Sequence, residues 1–215
     1  MRCNRSVRHH HRSQKIHTQL ATFALALKGV QYEYRAVNLL KGEQLQDKYH
    51  GLTPMAQLPS LEIDGVLMSQ SLPIIEYIDE TRGGPSLLPK EPKQKCTLNE
   101  TCSLGDLSFH SKQNLKILKF IGAERKSEWG HKFIQEGFEA LEIVLAQTAG
   151  KYSVGDDITM ADLCLIPQVY NAERFKVDMT AFPTISRINS TLSKHEAFIA
   201  AHPTNQPDCP DDLKQ

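Results

Sequence analysis

The chain has 215 residues, 40% of them hydrophobic, and a formal net charge of zero. That length builds one large or two small domains. The balanced charge creates no field to draw the chain to nucleic acid or an anionic membrane, and no apolar run is long enough to cross a bilayer. The cysteines at 3, 96, 102, 164 and 209 form no Cys-x-x-Cys pair, and no apolar leader opens the chain, which suits a reduced intracellular setting.

Residues 1–19 stand apart from the rest. Met1 to His17 is basic, with Arg5, Arg8, His9, His10, His11 and Arg12, contains no acidic residue, and shows neither strand alternation nor a helical stripe. Three readings compete: a disordered basic tail, which composition favours, a targeting peptide, and a histidine cluster for a metal. Adjacent histidines on a flexible chain do not converge on one ion, so no metal is expected.

From Leu20 to Lys28 the chain is apolar and Ala-rich, and Gly29 stands where a helix stops. Tyr32 to Leu40 begins with period-two alternation and reads as a strand, and 42–51 as a loop with a short helical turn. Leu61-Glu-Ile63 and Val66-Leu-Met68 flank Asp64-Gly65, the dipeptide best suited to a two-residue type I′ hairpin. Pro59 precedes the first of these strands, where a cis peptide is most at home. From Ser71 the period becomes helical through Leu72, Ile75 and Ile78, with Ile74 and Tyr77 beside them. Ser71 is typed to cap that helix. The same start offers N–H groups and Gln70 and Ser71 side chains to an anion, and spacing alone leaves both uses open.

Gly83 to Pro92 is dense in Gly and Pro and marks a boundary. The expected domains are 20–85, a linker at 86–92, and an all-helical 93–215 with helices near 93–121, 124–148, 159–173 and 183–200. Phe133, Phe138, Leu141, Val144 and Leu145 hold the stripe of the second of these. Thr159-Met-Ala-Asp162 after Ile158 has the form of a capping box with a hydrophobic staple, so Asp162 reads as structural.

Gln57-Leu-Pro59, the Asp64-Gly65 hairpin and Gln70-Ser-Leu-Pro-Ile-Ile-Glu-Tyr77 resemble the glutathione-binding half of the cytosolic glutathione transferases, most closely the zeta class, the maleylacetoacetate isomerase family. Ala24-Leu-Ala-Leu-Lys-Gly29, Asn38-Leu-Leu and the run from Val154 through Asp162 to Asn171-Ala-Glu-Arg-Phe175 agree with it. The likeness extends from about Phe23 to the C-terminus. It implies a thioredoxin-like α/β domain followed by an all-α domain, a homodimer, and a cytoplasmic enzyme, with mitochondria the alternative location that the basic N-terminus leaves open. Glutathione is the implied cosubstrate: its thiolate adds to the cis double bond of maleylacetoacetate, the single bond rotates, and elimination gives fumarylacetoacetate. Small halo-acids are further implied substrates.

By the same resemblance, Gln70 and Ser71 hold the γ-glutamyl end of glutathione, Leu58 and Pro59 the cysteinyl part and Gln44 the glycyl side, while Asn114 is a candidate contact in the cleft. The family's Ser-Ser-Cys-Ser-Trp-Arg motif, which steadies the thiolate, is replaced here by Lys15-Ile-His-Thr-Gln-Leu20. Thr18 is the one hydroxyl in that window and His17 or Lys15 the source of positive charge, which leaves Thr18 and His17 as the catalytic candidates. Residues 4–14 are a poor match for the buried strand the family places before this helix, since each buried charge needs a partner. The sheet is therefore expected either to lack its first strand or to carry a charged segment at its centre. A catalytically impaired, transferase-like binding or dimer partner is the competing function.

Overall fold

A computed structural model of the protein describes residues 7–11, 16–39, 41–51, 53, 55–104, 111–113, 115–209 and 211. By contacts the chain divides into one unit of residues 1–85 with 196–215 and a second of 86–195. The family-type layout of a sheet domain and a helical domain is present.

The first unit is built on a four-stranded sheet of order β2-β1-β3-β4. Its strands are β1 (Arg8–His11), β2 (Glu33–Ala36), β3 (Ser60–Ile63) and β4 (Val66–Ser69). β1 runs parallel to β2 and antiparallel to β3, and β3 and β4 form the hairpin. Asp64 and Gly65 take φ of 54° and 79°, the two positive angles that a type I′ turn demands. Helix α1 (Ile16–Leu27) ends as its sequence requires: Gly29 is left-handed at φ 62°, and the Val30 N–H closes back on Leu25 O at 2.9 Å. A short α2 (Asp47–His50) follows a 3-10 turn at Glu43–Leu45, and α3 (Ser71–Thr81) follows the hairpin.

The position of β1 corrects the expectation of a disordered tail, and of the two sheets expected it is the one with a charged segment at its centre. Residues 8–11 are the central strand, and the helix after them begins at Ile16, inside the segment set apart as 1–19. Two facts make this possible. The single permanent charge of the described strand, on Arg8, meets Glu62 at 3.1 Å on one side and Glu33 at 3.3 Å on the other. The histidines that follow can be neutral, and a neutral imidazole tolerates burial as a guanidinium does not. His9 is fully buried and His10 nearly so, against Tyr32 and Tyr49 at centroid distances of 5.5 and 5.8 Å.

Leu20, Phe23 and Ala24 of α1, Leu61 and Ile63 of β3, and Ile74, Ile75 and Ile78 of α3 make the core of this unit, each at most 1% exposed. The α3 stripe runs through Ser71, Ile74, Ile75 and Ile78, with Leu72 only half-buried. α1 and α3 are also tied by an ion pair inside the core, Lys28 Nζ to Asp79 Oδ1 at 2.7 Å, with the two side chains 1% and 6% exposed. The expected helix over 183–200 is broken near Ser193 into α8 (Pro183–Leu192) and α9 (Glu196–Ala201). α9 joins the first unit, where Phe198 stacks on Phe23 at 4.6 Å and the Tyr34 hydroxyl donates to the Asp208 carboxylate.

The second unit holds α4 (Pro92–Cys102), α5 (Leu115–Ile121), α6 (Lys126–Thr148), α7 (Met160–Arg174) and α8 (Pro183–Leu192). Ile134, Phe138, Leu141 and Leu145 form the buried face of α6, and Phe138 meets Phe182 edge-on at 5.4 Å. Glu142 caps α8 by accepting from the Thr184 and Ile185 N–H groups at 2.6 and 3.0 Å. α7 opens on the expected capping box. Asp162 accepts from the Thr159 N–H at 2.8 Å and from the Ser153 N–H at 2.9 Å; burial pushes its carboxyl up and these bonds oppose that push. Among the described residues no helix is long and apolar enough to cross a membrane.

Two substitutions test these anchors. Asp79→Ala strands a buried ammonium and is expected to lower the unfolding free energy by about 3 kcal/mol in urea titration, whereas Lys28→Met with Asp79→Leu restores most of it. Asp162→Ala removes the acceptor for two buried N–H groups and is expected to cost roughly 2–3 kcal/mol in the same measurement.

Candidate functional site

The strongest cluster of predicted residues lies where β3 begins and β4 ends. Ser60 pairs with Ser69 across the hairpin, so Leu58-Pro59 and Gln70-Ser71 are brought side by side at one edge of the ladder. The Leu58–Pro59 peptide is cis, as expected, and Leu58 is buried with Val37 and Tyr49. Gln70 Nε2 donates to Gln57 Oε1 at 3.3 Å, joining the two segments by side chains.

Gln70, and not Ser71, occupies the cap position of α3, and its side chain makes no capping hydrogen bond. Ser71 is the first helical residue and is buried at 4% exposure, so the expectation that Ser71 caps the helix is corrected: its side chain belongs to the stripe that faces the core. The first turn closes through the Ile74 N–H to Gln70 O at 3.3 Å. The Ser71 and Leu72 N–H groups have no acceptor within the helix, Pro73 has no N–H at all, and the positive end of the helix dipole lies at the same place. Gln70 itself sits at φ 75°, ψ 135°. For a residue with a side chain, such a conformation costs on the order of 1–3 kcal/mol, and it persists where packing imposes it, commonly at ligand clamps.

Tyr49 was not singled out from the sequence, because nothing local marks a tyrosine in a polar segment as structural. Its hydroxyl donates to Gln57 O at 2.8 Å and lies 3.1 Å from Ser60 Oγ, bracketing Leu58 and Pro59 from both ends. Burial holds this phenol above its usual range, so it remains a neutral donor at physiological pH. Gln57 was likewise missed as a side-chain partner, although its place just before Leu58-Pro59 was a usable signal.

The other predicted residues are placed as follows. Gln44 lies on the 3-10 turn ahead of α2, half-buried, with its Oε1 enclosed and without a hydrogen-bond partner among the described residues. His17 and Thr18 are the second and third residues of α1. His17 is half-buried; Thr18 is fully buried, and its Oγ1 has no hydrogen-bond partner among the described residues. Asn114 falls outside the described residues, as does Lys15. A small void in the second unit is lined by Thr101, Leu141, Ser153, Cys164 and Gln168, and none of the predicted site residues borders it. No group of three metal-ligating side chains occurs among the described residues.

An uncapped helix start, two exposed-edge glutamines and a cis-proline segment fit an extended anionic peptide such as glutathione. The enclosed, unpartnered Gln44 oxygen is an acceptor of the kind a ligand amide would meet.

Comparison with known proteins gives the family. Residues 17–86 match the family model described as glutathione S-transferase, N-terminal domain, and residues 115–203 that of the C-terminal domain. A maleylacetoacetate isomerase of Rattus norvegicus is 49% identical over 193 residues, covering 89% of each chain. Among solved structures, a bacterial maleyl pyruvate isomerase described as a zeta-class glutathione-S-transferase superposes with a TM-score of 0.90 at 34% identity, covering 94% of this chain and all of that one. The maleylacetoacetate isomerase of Anaeromyxobacter dehalogenans 2CP-1, solved with glutathione in its active site, superposes with a TM-score of 0.87 at 35% identity, covering 95% and 98%. Matched in both halves and sharing nearly half its residues with an isomerase along most of its length, this chain belongs to the glutathione transferase family, in the zeta class with the maleylacetoacetate isomerases.

Proposed function

We propose that the chain catalyses the glutathione-dependent cis-trans isomerisation of maleylacetoacetate to fumarylacetoacetate, a step of phenylalanine and tyrosine breakdown, with transferase activity on small halo-acids. The observation that carries the glutathione part is Gln70, held in a costly conformation at an uncapped helix start and bonded to Gln57 beside Pro59. The choice of substrate is supported by the names of the relatives. When bound, glutathione supplies the thiol nucleophile that adds reversibly across the cis double bond.

The chain's own groups have these roles in the proposal. Gln70 and the Ser71 and Leu72 N–H groups receive the γ-glutamyl carboxylate at the helix start. Leu58 and Pro59 set the cysteinyl part against the sheet, held in place by Tyr49. Gln44 meets the glycyl side. The first turn of α1, carrying His17 and Thr18, faces the thiol with its N-terminal dipole and lowers the energy of the thiolate, and Asn114 contacts substrate. The protein works as a homodimer in the cytoplasm, with mitochondria as the alternative location. The exposed apolar side chains Met55, Val66 and Leu67 of the first unit suit such an interface.

A second reading, a transferase-like binding partner with little turnover, is favoured by one observation: the Thr18 hydroxyl is fully enclosed, so it does not reach a ligand without local rearrangement.

Two measurements separate these readings. In calorimetric titration Gln70→Gly is expected to weaken glutathione binding at least tenfold while raising the unfolding free energy by about 1 kcal/mol, because glycine adopts that backbone freely. Equal or tighter binding would remove the clamp. In an isomerase assay with maleylacetoacetate, His17→Ala is expected to lower kcat about tenfold or more through loss of an imidazole hydrogen-bond donor beside the thiolate. A parent chain that binds glutathione yet does not turn over supports the second reading.

A further inference from the structure

The chain carries an unusual central strand, and its consequences extend beyond the reaction proposed above. Successive side chains of a strand face opposite sides, so His9 and His10 lie on different faces of the sheet. His10, 8% exposed, stands in register with Arg35 on β2 and Ser60 on β3, with the Tyr49 ring of α2 beside it. The charged groups facing it are Arg8 from its own strand, Glu33 and Arg35 from β2, and Glu62 from β3. These already balance. Arg8 meets Glu62 at 3.1 Å and Glu33 at 3.3 Å, and Arg35 meets Glu33 at 3.0 Å, so two guanidiniums answer two carboxylates. An imidazolium at His10 would be a third cation on that face, mostly out of water. Burial, and then Arg35, hold the imidazole below its ordinary range. On the other face His9 is enclosed edge-on to Tyr32, with Tyr34 in register beside it and Asp208 on the Tyr34 hydroxyl.

We propose that β1 is an acid-sensitive latch: neutral His10 lets the strand lie at the centre of the sheet, and its protonation releases β1 and opens the first unit while the helical unit stays folded.

The sign follows from linkage. The unfolded chain binds a proton at this histidine near pH 6.5, whereas the folded chain binds it only at lower pH. Stability from this group is therefore complete above about pH 6.5 and is lost as the pH falls below it, the opening constant rising by up to about tenfold per pH unit. β3 pairs with β1 through Ser60, directly after Leu58-Pro59, and Ser69 opposite Ser60 leads into Gln70. Opening at β1 thus dismantles the glutathione clamp. This last consequence rests on the function proposed above; the latch does not.

The test is hydrogen exchange with mass spectrometry on the full chain, without glutathione, at pH 7.5 and 5.5, corrected for intrinsic exchange rates. The expected result is a loss of protection of up to about tenfold at pH 5.5 across residues 8–11, 33–36 and 60–69, with 126–148 and 160–174 unchanged. Trp129, the only tryptophan, lies in the helical unit, and its fluorescence should stay constant over the same range. His10→Gln should abolish the pH effect. His202→Gln should leave it, which matters because burial also keeps His202 of the first unit below its usual range. If His10→Gln does not fold, Arg35→Gln serves instead: removing a cation that faces His10 should move the acid midpoint to lower pH. Equal protection at both pH values, an acid effect that His10→Gln retains, a midpoint that Arg35→Gln leaves in place, or loss of both units together would each overturn the latch. A chain that proves unable to bind glutathione leaves this readout intact, so the two proposals fail separately.

Discussion

Placing a basic strand at the centre of a sheet requires every charge on it to be answered, and the first unit depends on how this is done for β1. Arg8 lies between Glu33 and Glu62, one from each neighbouring strand, and the residues after it are bases that lose their charge near neutrality. The connectivity needs this strand. Among the described residues β1 is the only bridge between β2 and β3, parallel to one and antiparallel to the other, and α1 follows it closely along the chain. Without β1, β2 has no strand partner among the described residues, and of the sheet only the β3–β4 hairpin against α3 is left.

The candidate site is where this sheet bears local strain. Gln70 adopts a backbone conformation that its side chain disfavours, and it is held from both sides. Before it, β4 is locked in register by the type I′ turn. After it, three isoleucines of α3 are fully buried and the Lys28–Asp79 pair secures the far end of the helix to α1. Burying one such isoleucine contributes roughly 1.5–3 kcal/mol, comparable to or greater than the strain at Gln70, so the conformation persists without a ligand. The result is a preformed helix start with two N–H donors and a glutamine pair on a rigid hairpin, beside a segment that Tyr49 ties down at Gln57 and Ser60.

The helical unit is organised by carboxylates used as caps. Glu142 closes the start of α8, and Asp162 closes the start of α7 and holds Ser153 in the preceding loop. Both oxygens of Asp162 are occupied by these donors, which is why a buried acid with a raised pKa is a structural element here and not a general acid. Asn171 of the same helix is paired inside the unit to Gln113 at 2.7 Å.

Features set within a few residues were legible in the sequence. The Asp64-Gly65 turn, the Gly29 stop, the cis Pro59 and the capping box each follow from local backbone preference and are present, and the stripes of α3 and α6 are present with Leu72, Phe133 and Val144 only half-buried. Short motifs such as Gln57-Leu-Pro59 and Gln70-Ser-Leu-Pro-Ile-Ile-Glu-Tyr77 also pointed to the family, and both lie within the matched N-terminal domain. What the sequence could not decide was anything that depends on a partner distant along the chain. Arg8 and the histidines read as a tail because their compensating groups, Glu33, Glu62, Tyr32 and Tyr49, are 23 to 54 positions away. Ser71 read as a cap because its burial is decided by α1 and the sheet. Tyr49 and Asp208 acquired their roles only when the chain brought Gln57 and Tyr34 to them. Local geometry is determined by bonded neighbours; burial and charge compensation are determined by the fold, and only the tertiary structure could assign them.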